Sequence, residues 1–369
     1  MSDGSIIELS SGTSPACPFY LGDSIGGRLP EYLGRHDFDE FYLVTSEPLY
    51  ELFGRDLAAR LTRAGIAVNL ITVVEGEGAK GWPQLTALCE RLVASGATKD
   101  SIVGALGGGM ISNLAGLAAA MVYRGLRFVE IPTTMLNLTD GTLSNKQAIN
   151  GALGKNQFGV YHPPLFIWAD VAMLRSEPVR QHRSALVEAL KNGLVNDAAW
   201  FERLESRLAG GVAGIRDDLL GLCHEVVRSK LDILALDPGE RKAGIILEYG
   251  HTVGHAVEFL SGGALLHGEA VGIGMCAAAR VGIRLGITAP EVLERQEHVL
   301  ATLMGAPIAV PREFTPERIV EVILSDNKRR SGSAVRFVLL PEVGRVHVVD
   351  GDHETPVPEP LLKSVLADA

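Results

Sequence analysis

The sequence predicts an α/β fold, with an N-terminal, mostly parallel sheet flanked by helices and then a C-terminal all-helical domain. Three observations lead there. Over the first half, short β-branched and aromatic runs alternate with helical patterns of about 12 to 17 residues, the rhythm of right-handed parallel crossovers. Beyond about Glu177, long helical patterns follow one another with no strand run until 335–339. The 369 residues are 47% hydrophobic and 21% charged, a globular balance with chain enough for two buried cores. The boundary falls near residue 178, giving domains 1–178 and 179–369.

Residues 1–40 carry an alternating apolar opening and a Gly26-Gly27 turn. Residues 41–45 read as a strand, and 48–64 show helical periodicity ending at Gly65. Residues 67–74 are the next strand, followed by a helix over 82–94 that stops at Gly96. A strand at 101–106, an Ala-rich helix at 111–123 and a strand at 127–131 complete the alternation. The later helical patterns lie at 181–196, 213–236, 245–260, 268–285 and 290–304. No internal repeat or low-complexity segment is present.

Composition excludes some functions. A formal charge of −10 without a long Lys/Arg run argues against a nucleic-acid surface. Cys17, Cys89, Cys223 and Cys276 are far apart with no C-x-x-C, as expected of reduced thiols. The N-terminus lacks the basic and apolar regions of a secretory signal, and no run of about 18 apolar residues could span a bilayer. The expectation is a cytoplasmic protein.

Several motifs carry chemistry. His251 and His255 stand four apart, on one face of a helix, and His267 follows a Gly-rich turn at Ser261-Gly262-Gly263. Clustered imidazoles point to a divalent metal, or else are two helix-surface histidines and a loop histidine. The pattern is not a zincin motif, because no glutamate stands between the first two histidines. Gly107-Gly108-Gly109 lies between a strand and a helix that includes Asn113, where backbone N–H groups can approach a pyrophosphate. Its spacing departs from G-x-G-x-x-G, and a tight turn needs glycine in any case. The polar loop Gly76-Glu77-Gly78-Ala79-Lys80 either reaches a ribose or is an exposed turn. Pro132-Thr133-Thr134 opens a segment to Pro163-Pro164 that contains Asp140, Lys146, Gln147, Asn150, Lys155 and Asn156. Lysines in a Gly-punctuated segment suit a phosphorylated ligand, or else a solvated connector. Glu188 and Lys191 share a helix face, which alone signifies only a surface ion pair. Lys230 precedes an acidic turn, and Asp326-Asn327-Lys328 is a late polar cluster.

Taken in order, these motifs resemble the sugar phosphate cyclases of the dehydroquinate synthase superfamily, over about residues 40–330. Gly-His-Thr-x-Gly-His-Ala at 250–256 is the most diagnostic part. The run 143–150 and Glu248-Tyr-Gly-His are similar to the branch that cyclises glucose 6-phosphate to 2-deoxy-scyllo-inosose. Dehydroquinate synthases carry Asn where Glu248 stands, and an Arg where this chain has Gly244. Arginine suits a substrate carboxylate, and Glu248 would repel one. A glutamate accepts hydrogen bonds from sugar hydroxyls instead.

The resemblance implies metal ligands Glu188, His251 and His267, with His255 handling protons. It implies NAD along Gly107, Gly108, Gly109, Asn113, Thr133 and Thr134, with Glu77 and Lys80 toward the ribose. Asp140, Lys146, Lys155, Asn156, Lys191, Lys230, Glu248, His255 and Lys328 would serve substrate. Two departures are Asn137-Leu-Thr-Asp-Gly-Thr-Leu around Asp140, and Ser46 where an acid or amide often begins the ribose contact. The implied chemistry is oxidation at C4 by NAD⁺, loss of phosphate, return of hydride, ring opening and aldol closure, with Zn or Co as the metal. A homodimer serving aminoglycoside biosynthesis is the accompanying expectation. The alternatives are another sugar phosphate cyclase such as dehydroquinate synthase, a glycerol-dehydrogenase-like metal alcohol dehydrogenase, and a non-catalytic NAD-binding subunit.

Overall fold

A computed structural model describes residues 4–10, 17–152, 154–237, 243–325 and 334–368. The chain divides into two compact units, Met1–Glu177 with Leu219–Val227, and Pro178–Asp218 with Arg228–Ala369.

The first unit is built on a seven-stranded sheet. Its strands are β1 (Ile6–Ser10), β2 (Pro18–Gly22), β3 (Phe41–Thr45), β4 (Val68–Thr72), β5 (Ile102–Gly107), β6 (Arg127–Pro132) and β9 (Phe166–Asp170). The order is β1-β2-β9-β6-β5-β3-β4, parallel throughout except for the edge pair β1–β2. Successive side chains of β3 enter different cores. Tyr42 and Val44 pack with Leu85, Leu88 and Leu92 of the helix Trp82–Ala94, and with Leu114 and Ala118 of the helix Gly109–Met121. Phe41 and Leu43 pack with Leu29, Leu57, Leu61 and Trp168. Burial on both faces is why β3 and β5 read as unbroken apolar runs.

Residues 132–164 are not a featureless connector. They hold the helix Met135–Thr139 and an antiparallel ribbon of β7 (Lys146–Ile149) and β8 (Phe158–Tyr161).

Among the described residues the second unit is helical but not all-helical, since it also holds the short ribbon β10 (Val335–Phe337) and β11 (Thr355–Val357). Its helices include Val179–Asn196, Ala198–Leu208, His251–Leu260, His267–Arg284, Pro290–Met304, Pro316–Ser325 and Glu359–Ala367. The pattern at 245–260 is not one continuous helix. A 3-10 turn, Ala243–Glu248, ends before Gly250, whose φ of 81° begins a new helix at His251. No helix among the described residues is long and apolar enough to cross a membrane.

Candidate active site

In the second unit three helices deliver one donor each to a common point. Glu188 lies within Val179–Asn196, while His251 and His267 each open their own helix. One potential ligand atom from each lies within 4.8 Å of the other two. Both imidazoles face the same carboxylate oxygen. Glu188 Oε1 is 3.7 Å from His251 Nε2 and 3.4 Å from His267 Nε2.

Local sequence explains the convergence. The helices that begin at His251 and His267 meet backbone to backbone, since a Cβ at Gly274 would stand 1.8 Å from the Gly250 carbonyl oxygen. Gly268 N–H donates to Ser184 Oγ at 2.9 Å, one turn before Glu188 on its helix. A Cβ at Gly268 would collide with the Ser184 carbonyl, so glycine is what lets His267 approach Glu188. Glu269 accepts from Leu266 N–H at 2.8 Å and pairs with Arg180 at 2.7 Å, fixing the turn that precedes His267.

The electrostatics fit a divalent cation. Glu188 and Lys191 are 1% and 2% exposed, so their pair is buried rather than a surface contact. Glu188 Oε2 is bonded to Lys191 Nζ, whereas Oε1 is buried without a hydrogen-bond partner. Burial would raise the Glu188 pKa, but Lys191, His251 and His267 hold it well below the usual carboxylate range. Burial and Lys191 keep His251 well below the ordinary imidazole value, leaving it a neutral donor. Burial also opposes a charged His267, yet Glu188 and Glu258 push its pKa up to about 10. A buried orphan oxygen facing two imidazole nitrogens is a donor set suited to zinc or a similar ion, and three protein ligands leave a position for water or substrate. His255 lies beside the group, its ring centroid 5.0 Å from that of His251 and 5.9 Å from that of His267. Glu248 ends the preceding 3-10 turn and acts electrostatically on His251. Lys230 is buried in the helix Leu219–Leu236, and the Gly244 N–H donates to Asp237 at 2.9 Å.

In the first unit, strand order reverses direction at β5 and β3, and ligands of parallel α/β sheets bind outside the carboxyl ends of strands at such a point. Gly107 ends β5, Gly108 is extended and Gly109 opens a helix in which Asn113 is half-buried. A Cβ on Gly108 would come within 3.2 Å of Thr134 Cγ2. Thr133 N–H donates to the Gly107 carbonyl at 3.1 Å, and its buried Oγ1 has no hydrogen-bond partner. Thr134 caps the helix Met135–Thr139 by accepting from Asn137 N–H. Asn137 donates to the Gly107 carbonyl at 3.2 Å and to Ser112 Oγ at 2.8 Å, bracing the turn that follows β5.

Glu77, Lys80, Asn150, Lys155 and Asn156 gather in one cluster. Lys80 Nζ donates to Asn156 Oδ1 at 2.6 Å, Asn150 Nδ2 to Glu77 Oε1 at 2.9 Å, and Lys155 lies 3.4 Å from Glu77. Asp140 follows the helix Met135–Thr139 and Lys146 opens β7. Ser46 caps Glu47–Leu49 and donates to Glu75, so a carboxylate stands beside the position where the sequence lacks one. Both line a cleft of about 650 Å³ with Gln84 and Arg91. Lys328 lies outside the described residues.

Residues 70–184 match the 3-dehydroquinate synthase N-terminal family and 185–329 the C-terminal family. The 2-deoxy-scyllo-inosose synthase of Streptoalloteichus tenebrarius is 37% identical over 359 residues, covering 95% of this chain and 93% of its own. That of Streptomyces kanamyceticus is 37% identical over 353 residues, covering 95% and 90%. Among solved structures, a 2-deoxy-scyllo-inosose synthase complexed with carbaglucose-6-phosphate, NAD⁺ and Co²⁺ superposes with a TM-score of 0.90 at 29% identity, covering 99% of this chain and 100% of that one. A probable glycerol dehydrogenase from Sinorhizobium meliloti, at 14% identity and a TM-score of 0.65 over 94% of each chain, shares the fold alone. The chain belongs to the dehydroquinate synthase superfamily of sugar phosphate cyclases, and within it to the group of the 2-deoxy-scyllo-inosose synthases.

Proposed function

We propose that the protein converts glucose 6-phosphate to 2-deoxy-scyllo-inosose, eliminating phosphate and closing a carbocycle, with NAD⁺ and one divalent metal, zinc or cobalt. The observation that carries this reading is the buried Glu188 Oε1 facing His251 Nε2 and His267 Nε2. When bound, the metal polarises a substrate hydroxyl while NAD⁺ takes up a hydride and later returns it.

The chain's own residues do the rest. Lys191 occupies Glu188 Oε2 and so fixes which carboxylate oxygen is left for the ion. Gly107–Gly109, Asn113, Thr133 and Thr134 present backbone and hydroxyl groups to the dinucleotide, with Glu77 and Lys80 toward its ribose. Lys155, Asn156, Lys230 and Lys328 supply donors and positive charge for a phosphorylated sugar, and Lys191 adds charge beside the ion. Asp140, Lys146 and His255 hold or move protons. Glu248 accepts from sugar hydroxyls, while Gly244 offers no cation to a substrate carboxylate. The reading assigns NAD to domain 1–178 and the metal to 179–369. It includes a homodimer in the cytoplasm that supplies the carbocycle of 2-deoxystreptamine aminoglycosides.

The test is to incubate metal-loaded protein with NAD⁺ and glucose 6-phosphate deuterated at C4. The product carbocycle should retain the deuterium, with no build-up of NADH. Steady growth of NADH absorbance would instead identify an alcohol dehydrogenase.

A further inference from the structure

The two histidines of the Glu188 group are supported differently. His251 Nδ1 faces a neutral acceptor, the Tyr249 carbonyl oxygen, at 3.3 Å. His267 Nδ1 lies 3.0 Å from Glu258 Oε2, a carboxylate on the neighbouring helix His251–Leu260. The Glu258 side chain is 10% exposed, so water screens the pair little. On that helix His251, His255 and Glu258 recur at i, i+4 and i+7, one face of about two turns. Glu258 therefore reaches His267 from the element that supplies His251.

We infer that Glu258 is a positioning residue for the metal centre. Its carboxylate keeps the His267 proton on Nδ1, aims Nε2 at the Glu188 oxygen and makes that nitrogen the stronger donor of the two imidazoles. A carboxylate behind a ligating imidazole fixes the tautomer, limits ring rotation and raises ligand basicity, and losing one typically weakens metal affinity by about 10- to 100-fold. Glu258 meets the ring at Nδ1, whereas Glu188 faces Nε2 on its other side. The inference rests on Glu188, His251 and His267 being the ligands.

The experiment uses the full chain in three variants, E258Q, E258A and H267A, each titrated with Co²⁺ against a chromophoric chelator. Visible spectra of the bound ion are recorded alongside, and NAD⁺ binding and circular dichroism serve as controls on folding. Glutamine keeps an acceptor for Nδ1–H but loses the charge, so E258Q should bind Co²⁺ about 10-fold more weakly. E258A should approach 100-fold, with a changed cobalt spectrum. H267A should lose the site. If E258A fails to fold, E258Q decides: wild-type affinity and an unchanged spectrum overturn the inference. Wild-type affinity in H267A would overturn the ligand assignment itself, a separate failure. Loss in H267A with none in E258Q leaves the ligand set standing and removes only Glu258.

Discussion

Each unit buries a carboxylate, and they deal with it in opposite ways. Glu130, on β6, is 2% exposed, and burial pushes its pKa up to about 7 against the pull of hydrogen bonds from Gln147 and Ser112. Gln147 Nε2 donates to it at 3.2 Å, and no cation takes part in these contacts. Glu188 is as deeply buried, yet its pKa lies well below the ordinary value, because Lys191 and two histidines surround it. An isolated buried charge costs several kcal/mol and is normally avoided by taking up a proton, which is the course Glu130 follows. Retaining the charge at Glu188 makes physical sense where a cation is to be held. The contrast separates a structural acid from a proposed metal ligand more clearly than burial alone.

The largest effect that would break this contrast comes from the second unit. His267→Ala should lose bound metal and activity with little change in fold, whereas His255→Ala should keep most of its metal and lose turnover. Metal content by elemental analysis, read beside activity, checks both. Equal metal loss in the two variants would contradict the separate roles.

A smaller effect belongs to Glu130. Its folded pKa of about 7 lies above the ordinary 4.5, so the protonated form is favoured by folding. The associated stability is fully present below about pH 4.5 and is lost as pH rises through 7. With about 1.4 kcal/mol for each pH unit between the two values, the loss is on the order of 3 kcal/mol. Glu130→Gln should flatten that slope in chemical denaturation curves collected between pH 5 and 8. An unchanged slope would mean that another group carries the pH dependence.

How much of this was legible in the sequence depends on how local the signal is. The helices Trp82–Ala94 and Pro290–Met304 were bounded at the observed residues, since each has proline in its first two positions and a glycine shortly after its end. Strands β3, β5 and β6 were plain as apolar runs between turns. The ribbon β7–β8 and strand β9 were missed, because Gly, Pro and polar residues around them suggest a connector. The helices Ala198–Leu208, Pro316–Ser325 and Glu359–Ala367 were missed as well, being short, amphipathic and interrupted by charge. The break before His251 was hidden because a left-handed glycine resembles any other glycine in sequence.

The histidine cluster was legible from spacing, but spacing favoured His251 with His255. Glu188 is 63 residues before His251 in the chain, and no periodicity connects them. Only the resemblance indicated that pairing. Its geometric cause, glycine contacts that bring three helix segments together, becomes visible once side chains are placed. Glu258 was within the motif that was read, at i+7 from His251, yet a carboxylate facing a histidine on a neighbouring helix leaves no mark in sequence.

The most direct test of the account is a choice between two substrates. In the proposed reading Gly244 offers no cation and Glu248 presents an acceptor, which would suit a sugar with hydroxyls and disfavour a keto acid with a carboxylate. A buried carboxylate lacking a partner costs several kcal/mol, and a site built for hydroxyl hydrogen bonds discriminates by about 10⁴ or more. The measurement compares kcat/KM of the metal-loaded protein for glucose 6-phosphate and for the seven-carbon keto acid phosphate that dehydroquinate synthases use, with Glu248→Gln beside the unmodified chain. The account predicts turnover of glucose 6-phosphate, impaired by Glu248→Gln, and none of the keto acid. Efficient formation of dehydroquinate by the unmodified protein would contradict it.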